Sequence, residues 1–421
     1  MTELTLKADR HLAAEHGRDM HFLLLSFRAP RMARTTQRPG INLSLVLDRS
    51  GSMAAANKLT LAVKAANLAL ARLTAKDRFS VVTYDDVSEV LVPSVPATPE
   101  ALNEARNALN RVIPGQSTAL FDGYLRGAEQ VAEHLVAGAL GKVLLLTDGL
   151  ANVGLQDPVT ISEHVAELRS RGVLTSTFGV GADFNQLLLD GMAMAGGGNF
   201  YFLENASQLE DLLTSEVGEA LETVARDVRV VVEHPQDVRV HLLDAFAAVP
   251  DDGRLTTQLG PLTSEQVVEL LYEIELPGRP AGELSRLRFA VADADGALGA
   301  SERWVEFRHA SDAEVDAEPA NADIVRRAAN RVRLEATERV YAANYQGRLG
   351  EVRLEASRAL EYLTKLANKY PELAKLIEEL ELDVANAEMP MSAMMAKMMY
   401  FKQSRSRRGR DAFGKASKES S

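Results

Sequence analysis

"SLVLDRSGSM", residues 44–53, is the stretch on which the reading of this chain turns. It begins inside an apolar run, Leu43-Ser44-Leu45-Val46-Leu47, and ends in small polar residues. Asp48, Ser50 and Ser52 follow at alternate positions, so an extended backbone sets their three oxygen-bearing side chains on one side. Asp, Ser and Gly also favour turns and helix N-caps, and taken alone the stretch reads as a turn as well.

Outward from this strand, residues of about 40 to 220 alternate short apolar runs with helical patterns. The runs "INLSLVLD", "RFSVVTY", "VSEVLVP", "GKVLLLTD", "GVLTSTFGVG" and "GNFYFL" are near-continuously apolar, as strands covered on both faces are. Between the first two, Leu59, Val63, Ala66, Leu70 and Leu73 form one helical stripe. Strand and helix in alternation imply an α/β domain with a doubly wound, mostly parallel sheet.

From about 224 to 308 the period falls to two. "VRVVVEHP", "QVVELLYEIELP" and "LSRLRFAVADADG" read as strands of a small antiparallel β-sandwich, divided by Gly, Pro and Asp turns. "MHFLLLSFRAP", residues 20–30, is a strand that precedes the α/β domain and is expected to pair with the sandwich. An acidic link, "ASDAEVDAEPAN", leads into a C-terminal helical region with breaks at "NYQGRLG" and Pro371. The expected organisation is an N-terminal segment 1–38, an α/β domain 39–222, the sandwich 223–310 and helices 311–388. A Met-rich and then basic tail, 389–421, is expected to be disordered after Tyr400.

Composition narrows the function. A length of 421 residues with 46% hydrophobic content supports two or three domains. A formal net charge of −12 argues against nucleic-acid binding as the main task. With no cysteine, disulfides, Cys-based zinc sites and thiol nucleophiles are excluded. The charged N-terminus does not read as a signal peptide, and no run of about 18 apolar residues predicts a membrane span. A cytoplasmic protein is the expectation.

In an open α/β sheet, ligands bind beyond the carboxyl ends of the strands, where loops converge. "INLSLVL" ends at Asp48 and "KVLLLT" at Asp148, while "IPGQSTALFDG" sets Thr118 ahead of a helix. If these loops meet, Asp48, Asp148, Ser50, Ser52 and Thr118 offer oxygen alone, a donor set for a hard divalent cation. Mg²⁺ takes about six oxygens at about 2.0–2.1 Å and keeps some of its water. Mn²⁺ and Ca²⁺ are the alternatives. A coordination position stays open for an aspartate or glutamate of a partner.

The pattern D-x-S-x-S after the first strand resembles the metal-ion-dependent adhesion site of the von Willebrand factor A domain family. The resemblance continues in "GQSTALFDG", in "LLLTDGLANVG" and in "STFGVGADFNQLLLDGMAMAGGGNFYFLENASQLEDLL", and spans about residues 40–220. It implies a Rossmann-like binding domain and no enzyme. It also implies that Ser50, Ser52 and Thr118 contact the metal directly and that Asp48 and Asp148 act through water. In the wider family, ligation can be coupled to movement of the last helix, here near "ASQLEDLLTSEVGEAL". The sandwich and helices resemble intracellular bacterial members.

Each residue also has a plainer reading. Thr118 could cap a helix and Asp148-Gly149 could be a turn; it is the constellation that points to an ion. Asp85 and Asp86 read as a hairpin tip and Asp183 as a helix cap. Asp122 could orient a metal-bound water, or cap or face solvent. The eight histidines form no H-E-x-x-H, no P-loop occurs, and "DRSGS" is not G-x-S-x-G. The Met cluster at 389, 391, 394, 395, 398 and 399 is either a docked final helix or an adaptable partner face. The functional expectation is a protein-interaction module whose metal is completed by a partner carboxylate. A metal-dependent hydrolase and a helical assembly scaffold with a vestigial metal site are the alternatives.

Overall fold

Strands that are apolar on both faces must be covered on both, and the chain does this in two separate units. One is formed by Met1–Arg31 with Val224–Ala412, the other by Met32–Thr223. The computed structural model describes all residues except 1–2, 33–39, 137, 300, 389–391, 408–417 and 419–421. The chain opens with β1 (Thr5–Ala8), β2 (Leu12–Ala14) and β3 (Arg18–Arg28). The inserted unit follows with β4 (Ile41–Asp48), α1 (Lys58–Leu70), β5 (Arg78–Tyr84), β6 (Ser88–Pro96), α2 (Pro99–Leu109) and α3 (Leu120–Ala132). It continues with β7 (Leu140–Thr147), α4 (Pro158–Ser170), β8 (Val173–Val180), α5 (Gln186–Ala195), β9 (Gly197–Leu203) and α6 (Leu209–Leu221). The chain then makes β10 (Thr223–Glu233), β11 (Arg239–Leu242), β12 (Ala247–Asp251), β13 (Arg254–Thr263), β14 (Val267–Pro277), β15 (Leu284–Ala292) and β16 (Ser301–Ala310). It ends in α7 (Asp312–Ala317), α8 (Ala322–Tyr345), α9 (Leu349–Lys369), α10 (Ala374–Glu388) and α11 (Ala393–Arg407).

In the inserted unit the sheet order is β6-β5-β4-β7-β8-β9. All pairs are parallel except the hairpin β5–β6. Every residue of β4, β7 and β8 is buried, which explains their largely apolar sequence. From β4 the chain first adds β5 on one side and later β7 on the other, so the order reverses between β4 and β7. Helix α3 lies close on this centre because it carries glycine where it touches the sheet. A Cβ at Gly123 would stand 2.5 Å from the Tyr84 ring, and one at Gly127 would collide with Val46.

Helix α6 is tied to the same sheet by a buried charge. The Glu216 carboxylate, fully buried, lies 2.5 Å from Lys142 Nζ on β7 and accepts the Ser176 hydroxyl of β8 at 2.5 Å. From β9 it accepts Asn199 Nδ2–H at 3.0 Å and the Tyr201 hydroxyl.

The other unit is layered. Its sheets run β1-β3-β14-β11 and β12-β13-β10-β15-β16-β2, antiparallel in the pairs described except β16 with β2. Strand β3 pairs along its whole length with β14, from Arg18↔Pro277 to Arg28↔Val267. Leu23, Leu25 and Phe27 join the core between the sheets with Val230, Leu287 and Phe289. Phe22 and Leu24 point the other way, onto Leu271, Ile324, Ala328 and Leu363. The run "HFLLLSF" is therefore apolar because helices cover one face of β3 and a second sheet covers the other.

Three local features differ from the sequence expectation. The acidic link is not all loop: a capping box between Ser311 and Glu314 starts the short helix α7. Asp183 does not cap α5; Asn185 does, accepting Leu188 N–H at 3.2 Å. The tail does not become irregular at Tyr400: α11 runs from Ala393 to Arg407, with Met399 against Val340, Val352, Ala356 and Ala387. Packing overrides a basic composition there. Met389, Met391 and the basic stretch beyond residue 407, apart from Lys418, lie outside the described residues.

A buried cluster on the N-terminal strands carries a pH dependence. His21, fully buried, has Nε2 3.2 Å from Asp19 Oδ2 and Nδ1 3.6 Å from Asp9 Oδ1. Arg10 completes the cluster, 3.2 Å from Asp19, and Lys369 and Tyr370 face it. Burial alone would lower the His21 pKa, but the Asp19 and Asp9 carboxylates outweigh burial and raise it. A raised histidine pKa stabilises the fold fully below the unfolded value of about 6.5 and loses that contribution as pH rises through the folded value. The melting temperature is thus expected to fall as pH is raised from about 6.5 through the higher folded value. His21→Gln should flatten that slope in a pH series of thermal melts.

Candidate metal centre

The site is built at the carboxyl ends of β4 and β7, where the strand order reverses. Asp48 is the last residue of β4, and Asp148 follows the last residue of β7. Asp48 Oδ1 accepts Ser50 N–H at 2.7 Å, a tight turn that swings Ser50 and Ser52 over the strand end. Its Oδ2 accepts the Thr147 hydroxyl at 2.6 Å. Ser50 Oγ lies 3.1 Å from Ser52 Oγ, and Ser52 donates to Asp148 Oδ1 at 2.6 Å. Four of the five candidates thus form one hydrogen-bonded chain.

Thr118 joins from the third loop. Its N–H donates to Asn152 Oδ1 at 2.8 Å, and Asn152 N–H returns to the Thr118 carbonyl at 3.1 Å. A Cβ at Gly149 would lie 3.5 Å from Ser52 Oγ and 3.6 Å from Thr118 Oγ1, so glycine leaves both hydroxyls clear. Gly51 N–H donates to the Gln116 carbonyl at 3.0 Å and Gly115 N–H to the Arg49 carbonyl at 2.6 Å. Arg49 also pairs with Asp85 at 3.3 Å, so Asp85 steadies the loops beyond its place in the hairpin. Asp122 is exposed in the first turn of α3.

Asp48, Ser50, Thr118 and Asp148 are buried, while Ser52 is exposed. Burial pushes the Asp48 carboxyl up to about 6, with the negative charge of Asp148 adding to it against the bonds from Ser50 and Thr147. Two adjacent buried carboxylates are costly unless positive charge balances them, and the side-chain atoms that the five candidates offer as ligands, carboxylate and hydroxyl, are all oxygen. That donor set fits a hard divalent ion. Among the described residues no group of three or more His, Cys, Asp or Glu could hold a metal ion.

Sequence reasoning missed three residues at this centre. Thr147 ends the apolar run 143–146 in a hydroxyl, a signal that could have been read. Asn152 shows only as a polar loop residue. Lys58, in the first turn of α1, puts Nζ 2.6 Å from Asp148 Oδ2, and no spacing rule announces it.

Residues 42–215 match the model of the von Willebrand factor type A domain, a family whose members are in general metal-dependent protein-interaction modules. An uncharacterised protein of Escherichia coli K12, YfbK, is 29% identical over 286 residues, 65% of this chain and 49% of that protein. Inter-alpha-trypsin inhibitor heavy chain H3 of Pongo abelii is 33% identical over 163 residues, 37% of this chain and 18% of that protein. The matched region thus spans about half of YfbK and less than a fifth of the heavy chain. Among solved structures, a von Willebrand factor type A protein of Catenulispora acidiphila superposes with a TM-score of 0.69 over 94% of both chains. At 16% identity that likeness is one of fold. The central part of the chain, residues 42–215, is a von Willebrand factor type A domain.

Proposed function

We propose that this chain is a metal-dependent protein-interaction module whose cation is completed by a partner's aspartate or glutamate. The observation that carries the reading is the pair of buried carboxylates, Asp48 and Asp148, linked through Ser50 and Ser52 and opening to solvent only at Ser52. Ser50, Ser52 and Thr118 would hold Mg²⁺, or Mn²⁺ or Ca²⁺ in its place, and the two aspartates would anchor its water shell. The ion supplies a Lewis-acidic position that an incoming carboxylate can occupy. The protein's part is to hold the oxygens: Thr147 fixes Asp48, and Asn152 fixes the Thr118 loop. The sandwich and helices would serve assembly or regulation of a complex, in the cytoplasm on this reading.

Calorimetry with Mn²⁺ tests the site directly. Thr118→Ala is expected to weaken Mn²⁺ binding by about ten- to hundredfold, the scale on which even residues supporting a ligand act. Equal affinity in the two proteins counts against the site. Capture of partners on the immobilised chain should require Mg²⁺ and fail in EDTA. Capture insensitive to EDTA would favour the scaffold reading instead.

A further inference from the structure

Lys58 stands where a lysine has several physical reasons not to be. It lies in the first turn of α1, the positive end of the helix dipole, which disfavours a cation. Its side chain is largely withdrawn from water, and it follows Ala56 and Asn57, both left-handed at φ 51° and 57°. Two successive left-handed residues without a glycine are strained and persist only where the surroundings impose them. What offsets these costs is a single contact, Lys58 Nζ to Asp148 Oδ2 at 2.6 Å. Asp148 is fully buried, and among the described residues its other oxygen accepts a neutral hydroxyl, that of Ser52. Beside the ammonium runs the left-handed Gly181 at the end of β8, where a Cβ would come within 3.7 Å of Nζ.

We propose that Lys58 is a tethered counter-cation for Asp148, neutralising that carboxylate in the metal-free protein and competing with the divalent ion for it. This rests on the reading of the site as a metal centre, and it adds a function the donor residues do not have. Without the ammonium, the metal-free form would hold two buried carboxylates with no positive charge among the described residues in contact with either. With it, the metal-free loops stay folded, and the ion must enter against a fixed positive charge a few ångströms away. The same charge makes the loaded site net positive, since a divalent ion and one ammonium exceed two carboxylates by one unit. That surplus favours an anionic partner group.

The test compares wild type, K58M, K58R and D148N in the full chain, with the double variant K58M/D148N. In EDTA, K58M is expected to melt below wild type, and K58R to restore most of the loss. The double variant should lose less than the two single losses added together. By Mn²⁺ calorimetry, K58M should bind at least about tenfold more tightly than wild type, and saturating Mn²⁺ should close the gap in melting temperature. Unchanged or weaker Mn²⁺ binding in K58M overturns the proposal, as do strictly additive losses in EDTA. If no variant binds Mn²⁺, the metal-centre reading falls and competition falls with it. The EDTA melts then report separately whether Lys58 is the counter-ion of Asp148.

Discussion

Replacing Asp48 with alanine is expected to abolish binding of Mg²⁺ and Mn²⁺ and to leave a cooperatively folded protein. The carboxylate sits between the Ser50 amide and the Thr147 hydroxyl, so its loss removes one of the two negative charges in the site and frees the turn that presents both serines. Two donors then lack an acceptor, at about 1–3 kcal/mol each if they remain dry. Against this, a buried charge beside Asp148 has gone, one that burial already pushes toward protonation. The apolar core around β4 is untouched, because Leu43, Leu45 and Leu47 face it and Asp48 ends the strand. The heat of Mn²⁺ binding should therefore vanish while a single thermal transition persists. Metal affinity equal to wild type would refute the site.

Replacing Glu216 with leucine is expected to cause the largest loss of stability. Glu216 is fully buried and joins α6 to three neighbouring strands through Lys142, Ser176, Asn199 and Tyr201. Removing one partner of a buried ion pair strands the other, here a lysine that is itself 95% removed from solvent, at about 3–5 kcal/mol. For a unit of this size that is a fall of roughly 6–20 °C in melting temperature. The double variant E216L/K142M replaces the pair by apolar side chains and should recover much of it, since such exchanges are often close to neutral. A double variant no better than E216L would show that Ser176, Asn199 and Tyr201, not the ion pair, need Glu216. Any movement of α6 on ligation would have to break or carry this network with it.

The fold class was legible because burial writes itself into periodicity. The near-continuous apolarity of 41–47, 140–146 and 173–180 announced strands covered on both faces, and the alternation in 267–277 announced a half-covered one. The donor residues were legible for a different reason: small oxygen-bearing residues stand directly after such strands. Side chains that reach across from elsewhere were not legible. Lys58 looks like any lysine near a helix start and Glu216 like any helical glutamate, yet each meets a partner 74 or more residues away in sequence. A docked final helix at the Met cluster was one of the two readings of that stretch; its continuation past Tyr400 to Arg407 was missed because the composition there is that of a solvated tail.

The pairing of β3 with β14 also sets the order of events while the protein is being made. Arg28 and its partner Val267 are 239 residues apart, and the whole inserted unit lies between them. At about 5–20 residues per second on the ribosome, β3, which can pair with β1 at once, waits roughly 12–48 s for its other neighbour, β14. Through that interval Phe22, Leu23, Leu24, Leu25 and Phe27 have neither the facing sheet nor the helices that cover them in the finished fold. The inserted unit, contiguous in sequence, is complete well before. The nascent chain therefore carries a finished α/β unit behind an exposed hydrophobic strand, a natural target for a chaperone that holds extended apolar segments.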